Sequence, residues 1–92
     1  MKYRESYKQM AVELRFTLHA EEKLSRLSKV GVTRNKVIQI VENPEKIMSG
    51  YSGRKIAQGP LTDDLLLRVV YEEMGKDILV ITLYPAERER YT

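Results

Sequence analysis

The chain has no cysteine and no tryptophan, and His19 is its only histidine. Without cysteine there is no disulfide framework, no thiolate metal site and no thiol nucleophile. No apolar run approaches the ~18 residues of a membrane span, and the opening segment, MKYRESYKQM, lacks the apolar stretch of a signal peptide. These absences exclude several enzyme classes, and they lead us to expect a soluble protein of the cytoplasm.

The residues that are present suit one small folded domain. Of the 92 residues, 42% are hydrophobic and 32% are charged, and the formal net charge is +3. This composition supports one hydrophobic core, and the positive charge is compatible with a polyanionic partner. We expect a single domain over residues 1–92, with an N-terminal extension at 1–10, a core at 12–84 and a charged tail at 85–92.

The segment after the extension predicts a strand followed by a helix. Apolar and polar residues alternate over 12–17, which is the period of a half-buried strand. The side chain of Thr17 is suited to capping a helix that runs from Leu18 to about Ser28. The apolar stripe of this helix is expected to consist of Leu18, Leu24 and Leu27.

A second helix is predicted over 34–42. Gly31 interrupts the first helix, and Thr33 is suited to capping the second. The helix ends at Asn43, because the residue before Pro44 is pushed out of the helical region. Its buried side is expected to carry Val37, Ile38 and Val41.

After Pro44 the sequence predicts four strands. Two short strands surround the glycines at 50 and 53, and LLLRVVYEE pairs with DILVITLY as a hairpin that Pro85 ends. The order is strand, two helices and then antiparallel strands. We therefore predict an α+β domain in which both helices pack on one face of a mainly antiparallel sheet.

The direction of Arg68 depends on the hairpin register, because a shift of one residue exchanges the two faces of a strand. We expect a three-residue loop at 73–75, with Gly75 in the left-handed conformation. The core face then carries Leu65, Leu67, Val69 and Tyr71 with Leu79, Ile81 and Leu83. The opposite face carries Leu66, Arg68, Val70 and Glu72 with Ile78, Val80, Thr82 and Tyr84. A two-residue loop would instead bury Arg68 among apolar side chains.

Arg68 has two interpretations. It can pair with Glu72 on its own face or with a glutamate of the tail. It can also bind a phosphate beside the hydroxyl groups of Thr82 and Tyr84, since the guanidinium offers a bidentate set of donors. The sequence leaves both interpretations open.

His19 also has two interpretations. At the second position of the predicted helix, it can contact Thr17 or the carboxylates of the first turn. Alternatively it is a general base, because histidine accepts and donates protons near neutral pH. The residue types alone do not decide between these roles.

The acidic pairs do not indicate a metal site. Glu21 and Glu22 are adjacent on a predicted helix and do not face each other. Asp63 and Asp64 fall in a predicted turn with no histidine or cysteine nearby. We predict neither a metal nor another cofactor.

Five segments together resemble a known pattern. They are FTLHAEEKL, GVT, ENPEKI, LRVVYEE and VITLYP. Over about residues 14 to 91 the chain resembles the RelE-like ribonuclease toxin superfamily, near its small BrnT branch. The resemblance implies a strand, two helices and a curved antiparallel sheet. It also implies a metal-independent endoribonuclease that a cognate antitoxin protein silences.

The resemblance assigns roles to seven residues. It implies that the catalytic residues are His19, Arg68 and Tyr84. By their chemistry, His19 can accept or donate a proton, and Arg68 together with Arg88 or Arg90 can bind the phosphate. Tyr84 or Tyr91 can stack on a base or donate a proton. The resemblance implies that the residues contacting RNA are Thr82, Arg88, Arg90 and Tyr91.

Two other functions stay open, because the lysine- and glutamate-rich motif of many such toxins has no clear copy in this chain. One is a non-catalytic protein that holds a protein partner. Its binding surface would be the sheet face or the helical stripe of Tyr3, Tyr7 and Met10. The other is a nucleic-acid-binding domain whose affinity falls with salt and which cuts nothing.

Overall fold

The structure is a computed structural model that describes residues 13–91, with side chains as far as Glu89. The predicted extension at 1–10 and the stripe of Tyr3, Tyr7 and Met10 lie outside the described residues. The helices and strands are β1 (Leu14–Phe16), α1 (Leu18–Leu27), α2 (Arg34–Glu42), β2 (Lys46–Ser49), β3 (Lys55–Pro60), β4 (Leu65–Met74), β5 (Asp77–Glu87) and α3 (Arg88–Tyr91). Short 3-10 turns follow α1 at Ser28–Val30 and β2 at Tyr51–Gly53.

The five strands form one open sheet in the order β1-β5-β4-β3-β2. The pairs β2–β3, β3–β4 and β4–β5 are antiparallel, whereas β1 runs parallel to β5. The predicted α+β class is confirmed, but the sheet is mixed because its first strand pairs with its last. The last strand, β5, therefore lies beside the first described strand, β1, and α1 starts beside β5.

Both longer helices cover one face of this sheet. The helical side of the core consists of Ala20, Val37, Ile40 and Val41. The sheet side consists of Ala57, Leu67, Val69, Tyr71, Val80 and Leu83. Burying one such valine or leucine side chain contributes about 1.5–3 kcal/mol, so this layer stabilises the fold.

Threonine side chains begin both helices, as predicted. The Thr17 hydroxyl accepts a hydrogen bond from the Ala20 N–H at 3.0 Å, and the Thr33 hydroxyl accepts one from the Lys36 N–H at 3.1 Å. Each cap contributes about 1 kcal/mol. Gly31, with φ of 92°, ends the first helical segment. These local signals fixed the helix boundaries to within a residue.

The buried sides of the helices differ from the prediction. On α2 the buried residues include Ile40, whereas Ile38 is only half-buried. On α1 the buried residue is Ala20, and Leu18 is 77% exposed. Val37, Ile40 and Val41 follow the i, i+3, i+4 spacing of one helix face, and the orientation of α2 on the sheet leaves Ile38 at the edge of that face.

The β4–β5 hairpin has a two-residue turn, so the predicted three-residue loop is wrong. Met74 pairs with Asp77, and Gly75 adopts φ of 64° in the turn. A bulge between Val70 and Tyr71 then shifts the register by one residue. Because of this shift, Arg68 lies on the same sheet face as Thr82 and Tyr84, as predicted. The agreement holds only for residues on the side of the bulge away from the turn.

Close to the turn, the faces of β5 are opposite to those predicted. Ile78 and Val80 pack into the core, and Leu79 lies across from Glu72. The reason is that a two-residue turn exchanges the face of every residue up to the bulge. The faces of residues 78–80 therefore depend on the turn length and on the bulge together.

Pro85 does not end β5, which continues to Glu87. Pro85 pairs with Leu67, and Glu87 pairs with Leu65. Since β1 pairs only with residues 78–80, the proline lies where the described part of β5 has an open edge. A missing N–H is tolerated at such an edge.

None of the helices in residues 13–91 has the length and apolar character needed to cross a lipid bilayer.

Candidate functional site

The sheet face turned away from the helices carries the predicted site. We call it the outer face. It presents Lys46 and Met48 from β2, Ile56 and Gln58 from β3, Leu66, Arg68 and Val70 from β4, and Thr82 and Tyr84 from β5. Unlike the core face, it combines apolar side chains with an amide, a guanidinium and two hydroxyl groups.

One row of polar residues crosses the middle of the outer face. Gln58 lies opposite Arg68, and Arg68 lies opposite Tyr84. Gln58 and Arg68 are only 2% and 7% exposed. Burying such groups costs free energy unless contacts with other groups offset the cost.

Arg68, at the centre of this row, lies above the ring of Tyr84. Its Cζ is 5.7 Å from the centroid of the Tyr84 ring, within the range of a cation–π interaction. Its Nη2 donates to Sδ of Met48 at 3.5 Å. Glu72, which the sequence offered as a partner for Arg68, accepts a hydrogen bond from Nε of Arg54 at 2.8 Å.

His19 contacts Thr82 at the edge of the outer face. Its Nε2 lies 3.1 Å from the Thr82 Oγ1, and the imidazole is exposed. Which of the two atoms donates depends on the tautomer of the ring. Two of the other proposed partners have contacts of their own: the Thr17 hydroxyl caps α1, and Glu21 pairs with Arg34 at 2.8 Å.

The start of α1 is tied to β5, and this fixes the place of His19. The Thr17 N–H donates to the Val80 carbonyl at 3.0 Å, and the Thr17 hydroxyl donates to the Ile81 carbonyl at 3.0 Å. Ile81 is the extra residue of the bulge. The bulge thus sets the direction of Thr82 and also anchors the helix that carries His19.

Four predicted site residues therefore come together: His19, Arg68, Thr82 and Tyr84. We call them the outer-face cluster. Thr82 and Tyr84 are two positions apart on one strand, which separates them by about 7 Å. The cluster combines an exposed imidazole, two hydroxyl groups and a guanidinium. These groups can exchange a proton and bind an anion.

Of the three other predicted residues, Arg88 does not join this cluster. Arg88 follows the end of β5, roughly 20 Å along the strand from Thr82. Its N–H donates to the Asp64 carbonyl at 2.9 Å, and its Nη2 lies 3.6 Å from Oε2 of Glu45. Arg90 and Tyr91 belong to α3, and their side chains lie outside the described set.

A cavity of about 640 Å³ beside Arg88 is acidic. Its other lining residues are Asp63, Asp64, Glu87 and Glu89. Among the described residues of this lining, four carboxylates would repel a phosphate and one arginine would attract it. The structure gives Arg88 a neighbourhood quite different from that of Arg68.

A groove of about 560 Å³ adjoins the outer-face cluster at Tyr84. Its floor contains Ile56 and Val70, and its rim contains Tyr51 and Arg54. Tyr51 is 92% exposed. Sequence reasoning missed Tyr51, although a tyrosine between two glycines of a turn is a signal that could have been noted.

Sequence reasoning also missed Gln58. Its Oε1 is buried and accepts no hydrogen bond from the described part of the chain. The residue stands between Ala57 and Gly59 in a strand whose neighbours are mostly apolar. Its link to Arg68 required the β3–β4 register, which the sequence pattern did not supply.

Among the described residues no three histidine, aspartate or glutamate side chains are arranged to hold a metal ion. No protein-family model, no curated protein and no solved structure matches this chain.

Proposed function

We propose that this protein is a RelE-like, metal-independent endoribonuclease that acts as a toxin and is silenced by a cognate antitoxin. The observation that carries the proposal is the 3.1 Å contact between Nε2 of His19 and Oγ1 of Thr82, beside the paired Arg68 and Tyr84. The sequence resemblance implies a role for His19, Arg68, Thr82 and Tyr84 independently of where the structure places them. Their meeting on one sheet face supports a shared role.

In the proposed reaction the 2′-hydroxyl of RNA attacks the adjacent phosphorus. The O2′–P bond forms, the P–O5′ bond breaks, and the products carry a 2′,3′-cyclic phosphate and a 5′-hydroxyl. His19 accepts the proton of the 2′-hydroxyl, and the Tyr84 hydroxyl donates a proton to the departing 5′ oxygen. Arg68 stabilises the negative charge that develops on the phosphate oxygens.

Thr82 has a positioning role in this scheme. Its hydroxyl holds one imidazole nitrogen, so the ring keeps a defined orientation toward the outer face. Arg88, Arg90 and Tyr91 would act farther along the RNA strand, beyond the end of β5. The acidic surroundings of Arg88 make its contribution the weakest of the proposed set.

The test is cleavage of single-stranded RNA by purified protein in the presence of EDTA, and, in a separate assay that keeps the magnesium ribosomes need, cleavage of RNA on ribosomes. We expect cleavage by the wild type and a loss of about 10²–10⁴-fold in His19→Ala, as for other general bases. Glu22→Ala, an exposed change on the same helix, should cleave like the wild type. Absence of cleavage by folded wild-type protein under both conditions would overturn the proposal.

A second function is favoured by the burial of Arg68. Arg68 is 7% exposed and lies above the Tyr84 ring, so its position in the sheet is fixed. A sheet surface with an arginine in a fixed position can bind nucleic acid without cutting it. Such a domain would bind RNA with an affinity that falls steeply with salt concentration. Salt-dependent binding together with intact RNA would favour this function over the first.

A further inference from the structure

We propose that Tyr51 and Tyr84 frame a subsite for one unpaired nucleobase of single-stranded RNA. The subsite is the groove of about 560 Å³ between the β2–β3 loop and the outer face. This inference rests on the proposed function and adds to it the place where the RNA is read. It concerns a residue, Tyr51, to which neither the sequence motifs nor the resemblance gave any role.

Tyr51 lies in the β2–β3 loop, whose conformation is stabilised by two backbone hydrogen bonds. The Gly50 N–H donates to the Arg54 carbonyl at 2.8 Å, and the Arg54 N–H donates to the Tyr51 carbonyl at 3.1 Å. Between them Ser52 adopts φ of 59° and Gly53 φ of 77°. A serine in the left-handed region costs about 1 kcal/mol, and such local strain is found preferentially at binding sites.

The core does not require an aromatic residue at this position. Tyr51 leaves 92% of its surface exposed, so it gains almost nothing from burial. Among the described residues it is the most exposed large hydrophobic side chain. A flat ring on a hydrogen-bonded loop beside an apolar floor suits a flat ligand.

The groove has the size and lining of a ligand site. Its volume lies within the range of about 300–1,000 Å³ that is usual for small-molecule sites. Ile56 and Val70 provide an apolar floor, and Tyr84 provides a second ring. Nucleobases stack on aromatic side chains regardless of their identity, because every base has a π face.

The charge of the groove is compatible with a nucleotide. The charged residue in the groove lining is Arg54, and its Nε donates to Oε2 of Glu72 at 2.8 Å. That contact orients the guanidinium, and because the two charges offset each other the described lining does not repel a phosphate. The acidic cavity beside Arg88 is larger, but it would repel the phosphates of a nucleotide.

Tyr84 links the subsite to the proposed chemistry. It lines the groove and also lies opposite Arg68 in the outer-face cluster. A base held between the two tyrosines would place its own phosphate, or the next one, near Arg68. Stacking at Tyr51 would therefore set which phosphodiester bond is presented to His19.

The test measures binding of a short single-stranded RNA whose 2′-hydroxyl groups are methylated so that it cannot be cut. Fluorescence anisotropy would compare the wild type with Tyr51→Ala, Tyr51→Phe and Met74→Ala. We expect Tyr51→Ala to bind about five- to a hundredfold more weakly, the range measured for loss of one stacked base. Tyr51→Phe and Met74→Ala, an exposed apolar change at the hairpin tip, should bind like the wild type.

A second measurement asks directly whether a base is stacked. One position of the RNA carries 2-aminopurine, whose fluorescence is quenched by stacking. We expect quenching at one position with the wild type and with Tyr51→Phe, and none with Tyr51→Ala. An RNA duplex of the same sequence should bind equally to all variants, because its bases are not available.

The outcomes separate this inference from the proposed function. If the wild type cleaves RNA and Tyr51→Ala binds as tightly as the wild type, the subsite is wrong and the ribonuclease stands. If the wild type binds no RNA at all, both are wrong. If Tyr51→Ala weakens capture of the antitoxin protein but not of RNA, the groove is a protein-binding surface and the subsite is overturned.

Discussion

Thr82 is the residue that connects the helical half of the molecule to the outer face. Its hydroxyl lies 3.1 Å from Nε2 of His19, and its neighbour Ile81 accepts the hydrogen bond that anchors α1. Thr82→Val keeps the shape of the side chain but removes the hydroxyl. Losing one such orienting hydrogen bond, at about 0.5–1.5 kcal/mol, predicts an RNA cleavage rate about two- to tenfold lower.

Thr82→Ser is the matched control for this prediction, because it retains the hydroxyl and loses only a methyl group. Single-turnover cleavage rates at saturating protein would compare the two variants with the wild type. Equal rates for Thr82→Val and the wild type would mean that the contact with His19 does not serve catalysis.

Tyr84 has a ring and a hydroxyl that can be tested separately. Tyr84→Phe keeps the ring beneath Arg68 and in the groove, but it removes the proton that is proposed for the 5′ oxygen. We expect the cleavage rate to fall about 10²–10⁴-fold, as for loss of a general acid, with little change in RNA affinity. Tyr84→Ala should lower both quantities.

The opposite pattern, weaker binding with an unchanged rate in Tyr84→Phe, would assign the hydroxyl to binding. Leu79→Ala, on the same strand but nearer the turn, is a control for general damage to β5. Circular dichroism would confirm that each variant is folded.

At this scale, sequence reasoning found residues whose chemistry is rare in the chain. His19 stands out as the only histidine, and Arg68 stands out as a charge within an apolar strand. Gln58 and Tyr51 were missed, because an amide in a strand and a tyrosine in a turn are common. Only the register of β3 and the fold of its loop give them neighbours.

At the scale of elements, Ile40 of α2 packs directly against Gly59 of β3. A Cβ added there would lie 2.9 Å from Cγ1 of Ile40, closer than real Cβ contacts allow. Since Ile40 is 3% exposed, the helix would have to move or the isoleucine would have to change its rotamer. Gly59→Ala should therefore lower the free energy of unfolding by about 1–3 kcal/mol.

Urea unfolding of a double-mutant cycle checks this explanation. In an Ile40→Ala background, which removes the crowded atoms, Gly59→Ala should cost much less than in the wild type. Gly50→Ala is the control, because its Cβ would meet neighbours only at 3.5 Å or more. Equal costs in both backgrounds would place the clash elsewhere.

The elements also show where sequence reasoning reached its limit. Caps and breakers such as Thr17, Thr33 and Gly31 act within a few residues, so both helices could be predicted well. The bulge at Ile81, opposite Val70 and Tyr71, could not, because no residue near it carries a bulge signal. The facing of Arg68 was predicted correctly beyond the bulge because the shorter turn and the extra residue compensate each other.

The parallel pairing of β1 with β5 could not be predicted from local sequence patterns either. It joins residues 14–16 to residues 78–80, and the periodicity of a short strand does not identify its partner. The same holds for the choice between Ile38 and Ile40 on α2. Both positions are apolar, and the helix orientation on the sheet decides which of them is buried.

At the scale of the whole molecule, Tyr71 should make stability fall at high pH. It is 3% exposed, and burial raises its pKa above the usual value, with Glu73 adding to this and Lys55 opposing it. Above a pH of about 10 the unfolded chain loses this phenolic proton while the folded chain retains it. The free energy of unfolding should therefore decrease as pH rises from there to the higher pKa of the folded state.

Tyr71→Phe tests this because it removes the titrating group and keeps the ring. Urea unfolding at about pH 8 and about pH 10.5 brackets the ordinary tyrosine pKa. We expect a smaller loss of stability between the two pH values than in the wild type. Tyr51→Phe, which changes an exposed tyrosine, should lose as much as the wild type, and an equal loss in Tyr71→Phe would contradict the assignment.

The parallel strand pair at the sheet edge has a consequence for how the protein is made. β1 leaves the ribosome before its partner residues, 78–80, are synthesised. His19 and Thr82 are likewise 63 positions apart. A nascent chain therefore cannot assemble the cluster until residue 84 has left the ribosome. Any activity that needs all four residues of the outer-face cluster begins only after that point of synthesis.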